Sequence, residues 1–302
     1  LTMAGRRKET LSTGPGERGE RLDLFIARSL EGVSRKAVKR ALDGGQVFVD
    51  GKVVRRAGYS LSGNDTITLT LDLPAPESSP PLPDILLWDA DLLAINKPPG
   101  LSSHPTVAGR ANALDLVRSF LRDRGKDDSP ILLHRLDADT SGVLLFALTV
   151  AANRDLYRQL AGREVEKTYL CLVAGSPPDA FGVENHLKSG VRSRTVAVQS
   201  GGQKAVTEFR TLKRGQGFTL VEARPHTGRT HQIRVHLAGK GFPLLGDRLY
   251  GGPVAITLGG GTLPVRRHLL HAFRLAFRYP GTGECKVIEA PVPEDFKPFL
   301  PI

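Results

Sequence analysis

The residues of this chain best suited to chemistry lie together in Leu132–Phe146, LLHRLDADTSGVLLF. Aliphatic runs, Ile131 to Leu133 and Val143 to Ala147, flank them and read as short buried strand ends. Between the runs sit His134, Arg135, Asp137, Asp139, Thr140, Ser141 and Gly142. A charged loop held between two pieces of core is where a rigid scaffold usually carries chemistry. A carboxylate such as Asp137 can attack as a nucleophile or take a proton. A plainer reading also fits. Asp, Thr, Ser and Gly make turns by bonding to nearby backbone, His134 suits a core histidine and Arg135 a solvated charge. A hydrolytic trio of Asp137, His134 and Ser141 would require close sequence neighbours to form a triad, and no oxyanion motif accompanies them.

A second cluster, RPHTGRTHQIRVHLA, carries Arg224, His226, Arg229, His231, Arg234 and His236. Several imidazoles in a short strand-to-helix passage invite a metal reading. Metal sites, however, combine His with carboxylate or Cys at ligand spacing. Here the partners of His are arginines, which repel a cation, so no metal is expected. The glycine-rich VAITLGGGTLP (Val254 to Pro264) has no phosphate-loop lysine, and it reads as a surface loop. No cofactor motif is present.

The elements that must position these residues follow from the rest of the chain. Its 302 residues suffice for two domains of roughly 150 residues each, and with 40% hydrophobic residues a sizeable core can form. Lys and Arg number 42 against 31 Asp and Glu, a net charge of +11 with a pI near 9.9. That suits a nucleic-acid binder, although basic charge alone also suits anionic membranes and acidic partners. No apolar run approaches the roughly 18 residues of a membrane span. Residues 1–16 lack the apolar stretch of a signal peptide. Cys171 and Cys285 stand far apart with no C-x-x-C pair, which argues against a zinc site or disulfide framework and fits a reducing cytoplasm.

Residues 1–16 read as a flexible arm and residues 17–71 as a small domain. Leu22, Phe25, Ile26 and Leu30 are at helical spacing. SRKAVKRALDGG then predicts a helix capped by Ser34 and stopped by Gly44-Gly45. Arg35, Lys36, Lys39 and Arg40 form its basic stripe, opposite Val38 and Leu42. QVFVDGKVV predicts a hairpin turning at Asp50-Gly51, followed by a strand near Thr66 to Thr70. Residues 72–84, DLPAPESSPPLPD, read as an extended linker. Residues 85–302 form the second domain. There, two strands precede Asn96-Lys97-Pro98-Pro99-Gly100, a helix spans Ala113 to Arg124 and another Ala151 to Ala161. Strands follow at Glu166 to Val173, Ala205 to Phe209, Phe218 to Ala223, Leu269 to Phe277 and Cys285 to Ala290. Gly182 to Gly217, with Lys188, Arg192, Arg194 and Lys204, reads as hairpins and loops over a cleft.

H-R-L-D-x-x-T-S-G, filled by His134, Arg135, Leu136, Asp137, Thr140, Ser141 and Gly142, resembles the signature of the ribosomal large subunit pseudouridine synthases of the RluA/RluD type. N-K-P-x-G-L at Asn96, K-x-Y at Lys167 to Tyr169 and G-R-T-H-Q-I-R-V-H-L from Gly228 extend the resemblance, as do FPLLGDRLYGG, LHAFRL and APVPEDF. R-L-D, S-R and G-x-V-x-V-x-G near the N-terminus resemble the ribosomal-protein-S-four-like RNA-binding domain, with Asp50 where many members carry Asn. The likeness runs from Glu17 to Phe296.

The resemblance implies an α+β protein: a small S-four-like domain, then a catalytic domain on a curved, mostly antiparallel sheet. It implies pseudouridine formation in large-subunit rRNA without a cofactor or metal, by a monomer in the cytoplasm. The alternative is a non-catalytic RNA-binding ribosome assembly factor that kept the fold, against which intact Asp137, Tyr169 and Arg234 argue. It makes Asp137 the catalytic carboxylate and Tyr169 the ring that stacks on the target base. Arg234 would pair with Asp137, fixing its direction through two parallel hydrogen bonds. Arg135 would enter the RNA stack where the uridine leaves. Lys167, Arg229 and His231 would line the RNA path, and Arg35, Lys36, Lys39 and Arg40 would grip RNA backbone.

Overall fold

The computed structural model describes residues 6–30, 33, 35–72, 82–106, 110–126, 129–191, 194–258 and 260–300. The chain forms two compact units, one within Leu1–Pro81, the other within Leu82–Thr106 and Ala111–Ile302.

The first unit begins with strand β1 (Arg6–Ser12). Helices α1 (Leu22–Ser29) and α2 (Arg35–Asp43) follow, then β2 (Val47–Val49), β3 (Lys52–Val53) and β4 (Thr66–Asp72). The strands form one sheet in the order β1-β4-β2-β3. Phe25 and Ile26 of α1 and Val38 and Leu42 of α2 close over Val47, Ile67 and Leu69. Asp50 and Gly51, at φ of 49° and 75°, make the expected turn, and Asp50 Oδ1 accepts the Thr66 N–H at 2.8 Å.

The flexible-arm expectation needs correction. Arg6 to Ser12 pair antiparallel with Asp72 to Thr66, and Leu11 packs on the core. The strand completes a ladder that β4 would otherwise leave open. Its polar composition hid it, because only one face meets the core. Residues 1–5, Ser34 and most of the expected linker lie outside the described residues; Asp72 itself ends β4.

The second unit contains β5 (Ile85–Trp88), β6 (Leu92–Lys97), helix α3 (Ala113–Arg122), β7 (Ile131–Leu132), β8 (Ser141–Ala147) and helix α4 (Val150–Gly162). After these come β9 (Glu166–Ala174), β10 (Ala180–Ser189), β11 (Thr195–Val198), β12 (Gln203–Arg214), β13 (Phe218–Pro225) and helix α5 (Gln232–Gly239). A hairpin, β14 (Ala255–Leu258) with β15 (Gly261–Pro264), precedes β16 (Leu270–Arg278) and β17 (Cys285–Glu289). The last element is a 3-10 helix, Glu294–Phe299.

One sheet carries this unit, in the order β11-β10-β12-β13-β9-β16-β8-β6-β5, with β17 on β16 and β7 on β8. Its pairings are antiparallel except β16 with β8. Every residue of β8 is buried, as a continuous aliphatic strand requires when both faces are covered. Its alternate side chains part company. Val143 and Leu145 meet Ala152 and Leu156 of α4, while Leu144 and Phe146 meet Val117 and Phe120 of α3. Thr149 caps α4 by accepting the Ala152 N–H, and Asn112 caps α3. Gly142 has φ of 113°, and a Cβ there would stand 2.2 Å from the Ala272 carbonyl oxygen, so the parallel pair requires glycine.

Two further expectations are corrected. Val254 to Pro264 is not a plain loop: its alternating side chains pair as β14 and β15, with glycine in the turn. Gly182 to Gly217 does form hairpins, but long regular ones with little loop, Ala180 to Leu187 running antiparallel to Arg210 to Gln203. Its glycines concealed the period-two pattern.

Candidate active site

Asp137 lies on the loop joining β7 to β8, and several distant elements hold that loop. Ser103 Oγ accepts the Leu136 N–H at 2.9 Å and donates to the Leu136 carbonyl at 2.8 Å. Lys97, fully buried at the end of β6, donates to the carbonyls of Pro98, Leu101 and Ala138 at 2.8–2.9 Å. Burial pushes Lys97 down to about 7 against the opposing pull of Asp139, but three carbonyl acceptors take all three hydrogens of an ammonium, so the charged form fits. Arg267 Nη1 donates to the Asp139 carbonyl at 2.8 Å, while its Nε and Nη2 grip Asp295 of the last helix at 2.6 and 2.9 Å. His268 Nε2 bonds Thr140 Oγ1, and His271 Nδ1 bonds Ser141 Oγ, both at 2.9 Å. Burial drives both imidazoles to about 4, so they are neutral. His134 is also neutral: burial, and then Lys167, take it to about 3, and its Nε2 accepts the Leu145 N–H.

Arg234 comes from α5, which the Gln232 side chain anchors to β12 through the Val206 carbonyl and Thr207 Oγ1. Its Nη1 donates to Asp137 Oδ2 at 3.0 Å. The expected two-pronged bond to Asp137 is corrected: the fork of the guanidinium meets Asp247 instead, with Nε to Oδ2 at 2.7 Å and Nη2 to Oδ1 at 2.9 Å. A planar fork and a carboxylate match in this way. Asp137 therefore receives a single bond from an arginine whose orientation Asp247 has already set. Burial pushes the Arg234 pKa down, but Asp247 and then Asp137 outweigh it, and the net direction is up. Burial likewise raises Asp247, and the Arg234 bond and charge overcome it, leaving it lowered.

His231 precedes α5 in a left-handed conformation, φ 56°, which is strained for a bulky residue. Its Nε2 is 3.8 Å from Asp137 Oδ2, and its Nδ1 meets the Tyr250 hydroxyl at 2.9 Å. Burial lowers its pKa more than Asp137 raises it. Tyr250 also lies under the Arg234 guanidinium, 5.0 Å from ring centre to Cζ, and its hydroxyl accepts the Thr195 N–H. Tyr169 is driven strongly upward, first by burial and then by Asp137, so its hydroxyl keeps its proton.

Asp137, Tyr169, Arg234, His231, Arg135, Lys167 and Arg229 thus line one cleft of about 390 Å³. Arg135 is exposed beside it. Lys188, Arg194 and Lys204 are not among its described walls, contrary to the expectation of loops over the cleft, and Arg192 lies outside the described residues. On α2, Lys39 and Arg40 are exposed, whereas Arg35 is already paired with Asp23 at 2.9 Å. The Lys36 side chain lies outside the described residues. No cluster of metal-ligating side chains occurs among the described residues. Asp247, Lys97, Arg267 and Tyr250 were not picked out as site residues by the sequence. Asp247 sits in the quoted GDRLYGG, where an acid between glycine and arginine looks like an ordinary turn; Lys97 lay in the quoted N-K-P-x-G-L at the end of an apolar strand, without a role of its own.

A carboxylate bonded by an arginine in a basic cleft, in a chain whose other unit bears a basic helix, suits a protein that acts on RNA. A family model described as RNA pseudouridylate synthase matches residues 91–239, and one described as S4 domain matches residues 20–67. The chain is 37% identical over 290 residues to a Bacillus subtilis protein described as an uncharacterized RNA pseudouridine synthase, covering 92% of each. It is 35% identical to the ribosomal large subunit pseudouridine synthase D of Vibrio vulnificus, covering 97% of this chain and 94% of that one. The solved structure of human RNA pseudouridylate synthase domain containing 4 superposes with a TM-score of 0.58 at 28% identity, covering 71% of this chain and 90% of that one. The chain belongs to the RNA pseudouridine synthase family, with an S4 domain at its N-terminal side.

Proposed function

We propose that the enzyme acts on uridines of large-subunit ribosomal RNA, with Asp137 as the carboxylate that does the chemistry. The substrate class follows from relatives whose names specify the ribosomal large subunit. The role of Asp137 rests on one observation: its Oδ2 accepts from a guanidinium fixed elsewhere, inside a cleft that also presents Tyr169. In the isomerisation the bond from ribose C1′ to uracil N1 breaks, the base turns over and C5 bonds to C1′. C5 then gives up a proton and N1 gains one, so no atom is added or lost. Asp137 attacks C1′ or takes the C2′ proton. Arg135, exposed at the mouth, stacks in the gap left by the flipped base, and Tyr169 holds the uracil by its ring face. Lys39 and Arg40 take RNA backbone from the S4 side. Both cysteines are free, which supports a cytoplasmic setting.

The test is to incubate the protein with unmodified large-subunit rRNA and map pseudouridine. Asp137→Asn keeps the size and most hydrogen bonding. It is expected to abolish product while RNA affinity stays within a few fold. Substantial turnover by Asp137→Asn would remove Asp137 from its role.

A further inference from the structure

We infer that the cleft continues into a second nucleotide subsite, which seats the nucleotide adjoining the target uridine, with Lys167 holding the phosphate between the two. This rests on the functional reading above and extends it to what lies beside the uridine.

A separate cavity of about 440 Å³ opens between the end of α4, the start of β9 and the end of β13. It is large enough for a small-molecule-sized occupant. It is not independent of the cleft: Ala161, Lys167, Pro225, Gly228 and Arg229 line both. Lys167 therefore stands on the partition. It is half-buried, and burial is what lowers its pKa, with no carboxylate offsetting it. Its acidic neighbour Glu166 is mostly exposed and faces Arg274 instead. Its other titratable neighbour, His134, is neutral and supplies no counter-charge. Among the described residues the Lys167 ammonium has no ion-pair partner.

A partly desolvated cation without a partner is costly unless something from outside pairs with it. In RNA one phosphate joins each nucleotide to the next. A cation on the wall between a uridine site and a neighbouring cavity lies where that phosphate must run. Arg229 adds a second donor: its Nε is spent on the Lys204 carbonyl at 3.1 Å, which holds the guanidinium in place on the same partition.

The walls of the second cavity suit a base more than a second phosphate. Arg224, which lines it, is already paired with Glu222 at 2.9 Å. Glu208 brings a carboxylate, one oxygen of which is 3.2 Å from His226 Nε2. A carboxylate accepts from an exocyclic amino group. Adenine, cytosine and guanine carry one and uracil does not, so the subsite disfavours uracil beside the target.

The experiment uses the full-length enzyme and a synthetic RNA stem-loop carrying the uridine mapped on rRNA. Wild-type product on the unaltered stem-loop is the control that tests the functional reading by itself. The phosphates on either side of the target are then replaced, one at a time, by an uncharged methylphosphonate, and single-turnover rates are measured with enzyme in excess of RNA but below saturation. One of the two replacements is expected to slow wild type by roughly 10–100-fold, the worth of a hydrogen bond to a charged group. Lys167→Met should slow the native RNA by a similar factor. Variant and neutral link together should be no slower than either alone, and Lys167→Arg should recover most of the rate. Factors that multiply, or a wild type indifferent to both neutral links, would overturn the assignment, and the second of these outcomes requires no variant to fold. On the sensitive side, changing the adjoining base from cytosine to uracil should lower wild-type kcat/KM several-fold and leave Glu208→Ala unaffected. An equal effect in both proteins would remove Glu208 from the subsite.

Discussion

Asp247 is the residue through which the geometry of the cleft can be tested most sharply. It is 1% exposed and takes both prongs of Arg234. Removing one partner of a buried ion pair costs about 3–5 kcal/mol. Asp247→Asn keeps the volume and one acceptor oxygen, so the lower end applies, about 3 kcal/mol. At about 2–4 °C per kcal/mol for a unit of this size, Tm should fall by about 6–12 °C. The catalytic effect is separate. With its fork unanchored, Arg234 no longer fixes Asp137 Oδ2, and a misplacement of about 1 Å can cost about 100-fold in rate. The pH dependence distinguishes a lost ion pair from general loosening. Asp247 has a folded pKa below its unfolded value of about 3.9. Its contribution is therefore complete above about pH 5 and disappears as pH falls through the folded value. The gap between wild type and Asp247→Asn should be constant from pH 5 to 8 and narrow below about pH 4. Thermal unfolding across that range, with single-turnover rates at pH 7, gives both quantities. A Tm shift under about 2 °C, or a gap that persists unchanged in acid, would refute the account.

Tyr169→Phe should retain far more activity than Tyr169→Leu, and the wild-type rate profile should show no basic limb from this hydroxyl up to about pH 10, because burial and Asp137 both drive it upward; a Phe variant as inactive as the Leu variant would restore a chemical role to the hydroxyl. Gly142→Ala places a Cβ 2.2 Å from the Ala272 oxygen at φ of 113° and should cost about 3 kcal/mol or more, read by denaturant unfolding. Replacing Lys39 and Arg40 together by Ala should reduce the log–log salt slope of rRNA binding by about 0.7–0.9 per lost phosphate contact, and an unchanged slope would mean that α2 faces something other than RNA.

Much of this architecture could be read from the residues alone. The β8 run is aliphatic on both faces because helices cover both, and Thr149 announces α4. The cleft residues were found because H-R-L-D, K-x-Y and G-R-T-H-Q-I-R are dense local patterns. What escaped was of two kinds. β1 is short and polar, and its pairing is fixed by a partner about 60 residues away, while the β14–β15 hairpin is local but carries glycines that mask its alternation. The fork between Arg234 and Asp247 escaped because spacing along a chain carries no distance in space. A guanidinium with two carboxylates nearby can give its fork to either one, and here the more buried acid received it.

The grip of Arg267 on the Asp139 carbonyl and of Asp295 on Arg267 also sets an order of events in time. The Asp137 loop is made early, and the acid that completes its support is made about 150 residues later. At about 5–20 residues per second, the loop waits roughly 10–30 s for its last brace. A nascent chain that has only just passed Asp139 holds Asp137 but not the frame that aims it. The frame around Asp137 is complete only once Asp295 has been made.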